Sequence, residues 1–378
     1  MQGLYPPSES ANAQTLANGT TESDPLNGYQ YVLVNGVPAT APDIIWLAGD
    51  QSCPAMTKAS KAYYNSTKFL TMQQQLQPFY DKFRPLLNGI LEPSDIGFQN
   101  AYNIFDYLNV GYVHNTTVRS NLSSDDLFQL RTLADSQSFD LNYNASSPNT
   151  SIGGRTMAAN IVSHLNQTAA QTTPALKLTY FNGAYSPMLA FWGITNLTAA
   201  SPNFMGLPDY ASVMTFELRR PANTTGFDDL FVRFGFRNGS DPSAEVTYFP
   251  MFGSNTTDMP WGEWSSAMSK VSISSTGSWC NTCGANMTFC VGAASTSGAS
   301  TNPTGSTVTN STSGAADTSN SGSSSGLSNA AAGGIGAGVT IGVIALIEGL
   351  IALWYFGGRR GRRSSVEKVP SDSGSNGR

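Results

Sequence analysis

An apolar run, Ile335–Phe356, interrupted by the single charge of Glu348, constrains this chain more than any other feature. As a helix it would rise about 33 Å, enough to cross a hydrocarbon core. Trp354, Tyr355 and Phe356 stand where an interfacial aromatic belt belongs, and Arg359, Arg360, Arg362, Arg363 and Lys368 follow. A basic cluster on that side marks the cytosolic end. A cleaved lipid-anchor signal would end in its apolar tail, without a basic extension. Thirteen Asn-x-Ser/Thr sequons lie on the other side, at Asn18, Asn65, Asn115, Asn121, Asn144, Asn149, Asn166, Asn196, Asn223, Asn238, Asn255, Asn286 and Asn310. Sequons are used only in the secretory lumen. The expectation is a glycoprotein of the cell surface or a secretory membrane, with its first 330 residues outside and its tail in the cytosol.

Gly334, Gly338 and Gly342 recur every four residues, a small-residue face through which two such helices could pair as a homodimer. Charge divides with this topology. Residues 1–332 carry a net charge of −8 and residues 359–378 a net of +4. An acidic outer part without a basic run excludes nucleic acid as the expected partner. The opening MQGLYPPSES has neither a basic stretch nor an apolar one, so the signal that this topology needs is expected upstream of Met1.

Periodicity divides the outer part. From Pro54 to about Gln171 the pattern is helical, with stripes at Ile104, Phe105 and Leu108, and at Met157, Ile161 and Leu165. Ser123 ahead of Leu127, Leu130 and Leu133 predicts a helix cap. Tyr29–Leu33, Leu176–Phe181, Ser212–Leu218, Leu230–Phe236 and Glu245–Phe249 read as strands, and Met259–Val271 returns to a helix. Residues 293–332 are dominated by Ser, Thr, Gly, Ala and Asn without an aromatic, and cannot offset the entropy of ordering. The expected organisation is an ectodomain over 1–292 with a helical insertion at about 54–171. A disordered stalk (293–332), a transmembrane helix (333–357) and a basic tail (358–378) follow.

Four cysteines, Cys53, Cys280, Cys283 and Cys290, in an oxidising compartment predict two disulfides with three connectivities open. Trp279-Cys280-Asn281-Thr282-Cys283 has redox spacing, but such a motif opens a βαβ unit and this one closes the folded part. Neither histidine stands in a recognisable constellation. His114 sits in a sequon-bearing segment expected to be exposed, and His164 on the apolar face of its helix, as a structural histidine. Asp125-Asp126 and Asp228-Asp229 read as solvated turn residues. The sequence holds no GxSxG, HExxH, Walker loop or strand-borne GxGxxG, and no cofactor or metal is expected.

The order of short blocks adds more. GLYPP near the start, PDIIWLAGDQSCP at 42–54, LKLTYFNGAYSPMLAFWGI at 176–194, then ASVMTFELRR, DLFVRFGF and MPWGEWSSAM follow one another across residues 3–290. This order resembles the histidine acid phosphatase family, the phytase-like branch of the phosphoglycerate-mutase-like superfamily, in its fungal membrane-anchored form. The resemblance implies an α/β fold, a phosphoglycerate-mutase-like sheet with helices on both faces and a helical insertion, and hydrolysis of small phosphomonoesters. In that family an Arg-His-Gly segment supplies the nucleophile, and a later His-Asp pair stabilises the transition state and protonates the leaving oxygen. The Arg-His-Gly segment is not in this sequence, so the resemblance implies a chain that begins inside the fold. The His-Asp positions are held by Ala184 and Tyr185. Alanine stabilises no developing charge, and tyrosine, with a reference pKa near about 10, is a poor general acid. Ser186-Pro187 reads as a helix cap followed by a first-turn proline. Two functions follow from these residues. One is a membrane-anchored phosphomonoesterase, inactive as the sequence stands. The other is a non-catalytic surface or wall-associated binding glycoprotein.

Overall fold

Local period decides element type through most of the chain, and tertiary pairing decides the rest. The computed structural model describes residues 13–23, 34–170 and 177–293. The expected strand Tyr29–Leu33, the stalk, the transmembrane span with its glycine face and the basic tail lie outside the described residues. Among the described residues no helix is long and apolar enough to cross a membrane.

A short hairpin, β1 (Ala13–Thr15) and β2 (Thr21–Ser23), comes first. A helical stretch follows: α1 (Ile45–Ala48), α2 (Pro54–Ala62), α3 (Thr67–Asp81), α4 (Arg84–Leu87), α5 (Ala101–His114), α6 (Thr116–Asn121), α7 (Ser124–Asn142) and α8 (Ile152–Ala170). Their caps are those the residues dictate. The Ser66 hydroxyl accepts from the Phe69 amide at the start of α3, and Ser123 accepts from the Asp126 amide at 3.0 Å at the start of α7. Asp125 and Asp126 therefore lie in the first helical turn, where negative charge complements the dipole, and not in an open turn. The predicted stripe of α5 is buried at Ile104, Phe105 and Leu108, against Leu130, Leu133 and Ala134 of α7. Buried Gln137 locks this pair, donating to the carbonyls of Phe98 at 2.6 Å and Gln99 at 2.7 Å.

Helix α9 (Tyr185–Ile194) packs on α8 at very close range. A Cβ on Gly154 would lie 2.4 Å from the Phe191 nitrogen, so only glycine permits this approach. After α10 (Leu197–Ala200) come β3 (Val213–Arg219), β4 (Phe231–Arg237), β5 (Thr247–Phe249) and β6 (Asp258–Pro260). All pairings in this sheet are antiparallel. β3 lies along one edge of β4, and β5 and β6 share the other. Register places Met214, Phe216, Leu218, Val232, Phe234 and Phe236 on one face, over α9 and α11 (Trp261–Val271). Phe216 meets Phe191 edge-on and lies beside Trp264. The other face is finished with charge: Arg233 grips Asp258 through two hydrogen bonds of 2.7 and 2.5 Å, and Tyr248 donates to Glu217.

Two expectations change. The class is mixed helix and sheet, but among the described residues helices back one face of the sheet while the other is polar. The strand expected over Leu176–Phe181 does not form where it is described. Residues 177–184 run irregularly, with Leu178 at 54%, Tyr180 at 49% and Phe181 at 45% exposure. No strand lies beside them among the described residues, and an extended segment becomes a strand only by pairing.

The described residues end with α12 (Thr276–Cys283) and α13 (Thr288–Ala293). The open connectivity resolves as Cys53–Cys283 and Cys280–Cys290. The redox-spaced pair is thus split between two bridges. Around them Ile45, Ile152, Ile273 and Trp279 form a second small core, and the Trp279 indole donates to the Gly49 carbonyl at 2.8 Å.

Candidate functional site

Ala184 and Tyr185 open onto a cavity of about 610 Å³. α9 presents Tyr185 in its first turn, with Ala184 as N-cap residue. Ser186 and Pro187 consequently lie inside the helix, two positions later than a cap and first-turn proline would. α5 contributes Tyr102 and, one turn on, Asp106. The loop before β3 contributes Tyr210, next to a left-handed residue, Ala211 at φ 65°. The rings of Tyr102 and Tyr185 are 5.0 Å apart, and the Tyr210 hydroxyl donates to Asp106 Oδ1 at 2.7 Å. Three tyrosines and a carboxylate thus form one wall.

Arg131, Asp209, Asn238 and Asp241 also line the cavity. The guanidinium is fully committed. It meets Asp135 at 2.9 Å and Asp209 at 2.8 Å, donates to the Leu207 carbonyl and lies over the Phe105 ring. Asn238 braces the same loop, accepting from the Asp209 amide and the Ser212 hydroxyl while its own amide donates to Asp209 Oδ2 at 2.7 Å. Asp241 accepts from Ser243.

The tyrosine hydroxyls are held neutral. Burial, then the neighbouring Tyr102, push Tyr185 well above the ordinary tyrosine range. The hydrogen bond to Asp106, then burial, push Tyr210 up to about 12. Tyr102 also rises, chiefly through burial. None of these hydroxyls offers a readily released proton near neutral or acid pH.

The first turn of α9 is already supplied with an anion. The Ser186 hydroxyl donates to Asp50 Oδ2 at 2.7 Å, which sets a carboxylate beside the positive end of the helix dipole. The other oxygen, Asp50 Oδ1, is buried without a hydrogen-bond partner.

The remaining expected residues lie elsewhere. His114 ends α5 at the surface. His164 is half-buried on α8, 5.0 Å from the Phe181 ring, and burial lowers its pKa. Asp229 accepts from the Gly226 amide, as a turn carboxylate does. Of the sequon asparagines, Asn149 is half-buried, the other described ones are exposed, and Asn310 lies outside the described residues. Among the described residues no group of His, Cys, Asp and Glu is placed to hold a metal.

A larger cavity of about 970 Å³ lies between α7 and β5. Four of its charges are paired with one another, Lys68 with Asp140 at 2.5 Å and Arg131 with Asp135, while its Trp192 and Phe204 are core residues. The tyrosine pocket is the better site, because its aromatic and acidic groups face open space.

Sequence reading reached Ala184 and Tyr185 but missed Tyr102, Asp106 and Tyr210. The spacing of Tyr102 and Asp106, one helical turn apart and off the buried stripe, is the signal that could have found the first two.

No protein-family model matches the chain, and no curated protein does. Among solved structures it is similar to the phytase from Citrobacter braakii, at a TM-score of 0.41 and 10% identity, over 62% of this chain and 70% of that one.

Proposed function

We propose that this chain is a membrane-anchored, phosphatase-like surface glycoprotein that binds a ligand in the tyrosine pocket without hydrolysing it. The observation that carries this reading is the electrostatics of the pocket. Asp106, Asp209 and Asp241 line it, and its guanidinium, Arg131, is already shared between Asp135 and Asp209. A phosphoryl group needs uncommitted donors and positive charge around it. Here it would meet carboxylates, with Ala184 and a reluctant Tyr185 hydroxyl where the resemblance implies a His-Asp pair. Asp50 adds to the mismatch by occupying the first turn of α9.

Hydrolysis of a generic aryl phosphate at acidic pH by the full-length chain tests this. No turnover is expected, and none from Ala184→His with Tyr185→Asp either, because Asp106 and Asp209 persist. Robust turnover by the unmodified chain would overturn the proposal and restore the hydrolase reading.

A further inference from the structure

We propose that the tyrosine pocket takes a small alkylammonium cation, an inference that rests on the binding function proposed above and names its ligand class. Two independent features point there. The first is the aromatic wall. Tyr102, Tyr185 and Tyr210 come from three separate elements and converge on one cavity, with Tyr210 71% exposed on its rim. A tyrosine ring that bounds open space offers its negative π-face to a cation. Burying tyrosines for packing alone would not leave a cavity of about 610 Å³ beside them.

The second feature is charge. The three carboxylates that line the pocket outnumber its guanidinium, and the same Arg131 also serves Asp135 outside that lining. Asp106 makes its short hydrogen bond to a neutral hydroxyl, which leaves its negative charge uncompensated. Asp241 accepts from Ser243, and the Arg237 guanidinium, which donates to the Asp241 carbonyl, offsets part of its charge. A cation therefore gains coulombic attraction that a neutral isostere of the same shape does not.

The geometry also selects among cations. A bare metal ion would need several oxygens converging within about 2.6 Å, and no such group exists among the described residues. An alkylammonium suits a cavity whose lining combines carboxylates and tyrosine rings with the apolar surface of Phe105 and Met188.

Titration calorimetry on the full-length chain tests this, with tetramethylammonium and spermidine as probes and 3,3-dimethyl-1-butanol as neutral isostere. Both cations are expected to bind saturably and to compete with each other, more weakly as salt rises. Asp106→Asn should weaken them by about tenfold, and Tyr210→Ala by roughly three- to tenfold. Asp228→Asn, outside the pocket, should change nothing. Tyr210 is exposed, so its variant should keep the parent melting temperature and isolate the ring's contribution. Equal binding of the neutral alcohol, or no cation binding by a folded chain, would overturn the inference. Aryl phosphate turnover is read separately, so failure of the non-hydrolytic reading and failure of the cation reading give different results.

Discussion

Residues 213–219 and 177–184 have the same kind of sequence and different fates. Both carry large apolar side chains and read as strands in the sequence. Val213–Arg219 pairs along its whole length with Phe231–Arg237 and sends Phe216 into the core. Residues 177–184 pair with no strand among the described residues, and leave Leu178, Tyr180 and Phe181 exposed. The contrast shows that strand propensity describes what can fit a sheet, while a neighbour decides whether there is one.

The largest test of that contrast is core truncation. Phe234→Ala, on the inner face of the paired strands, should cost about 3–5 kcal/mol of stability in chemical denaturation. Leu178→Ala should stay within about 0.5 kcal/mol. A large loss at Leu178 would mean that something covers the unpaired segment in solution, and the contrast would fail.

A smaller effect comes from two glycines. A Cβ on Gly235 of β4 would sit 2.5 Å from both Thr215 Oγ1 and Val246 Cγ1, whereas one on Gly183 would meet only the Leu47 carbonyl at 3.9 Å. Gly235→Ala should therefore cost about 1–3 kcal/mol by overpacking. Gly183→Ala should be close to neutral in the same measurement.

How much of this was legible beforehand follows the same line. The cap of α7, the buried stripe of α5 and the approximate extents of β3, β4 and α11 rest on local chemistry, and local chemistry is written in the residues. The disulfide pairing was not legible, because four cysteines permit three connectivities until the chain brings Cys53 to Cys283. The pocket was legible only at Ala184 and Tyr185. Its other parts come from α5 and from the loop at Tyr210, and nothing local to Tyr210 records that Asp106 waits 2.7 Å away.

The finest test reads the unpaired segment through its neighbour. Phe181 covers the imidazole of His164, whose pKa burial lowers. Phe181→Ala should move that pKa back toward about 6.5, followed by NMR with His114→Asn to assign the two imidazoles. The sign for stability follows. The unfolded chain binds the proton more readily, so His164 costs stability as pH falls through its unfolded value, and the cost is complete below the folded one. Phe181→Ala should shrink that acid loss. An unchanged His164 titration would show that the segment does not rest on α8.

At the pocket, spectrophotometric titration should find the Tyr210 hydroxyl ionising near the value of about 12 to which Asp106 raises it. Asp106→Asn should bring it back toward about 10. Titration of Tyr210 unaffected by that substitution would break the contact on which the acidic wall depends.

The bridge between Cys53 and Cys283 spans 230 positions of sequence. It closes most of the described residues into a covalent ring, with every helix from α2 to α11, the four-stranded sheet and all three pocket tyrosines inside it. A protease that cuts one exposed loop, such as the one before β3, opens that ring without dividing it. The nicked protein would keep its parts at high effective concentration and run as one species until a reductant reaches the bridge. Clipping at the surface and separation of the pieces are therefore two events, under the control of two different chemistries.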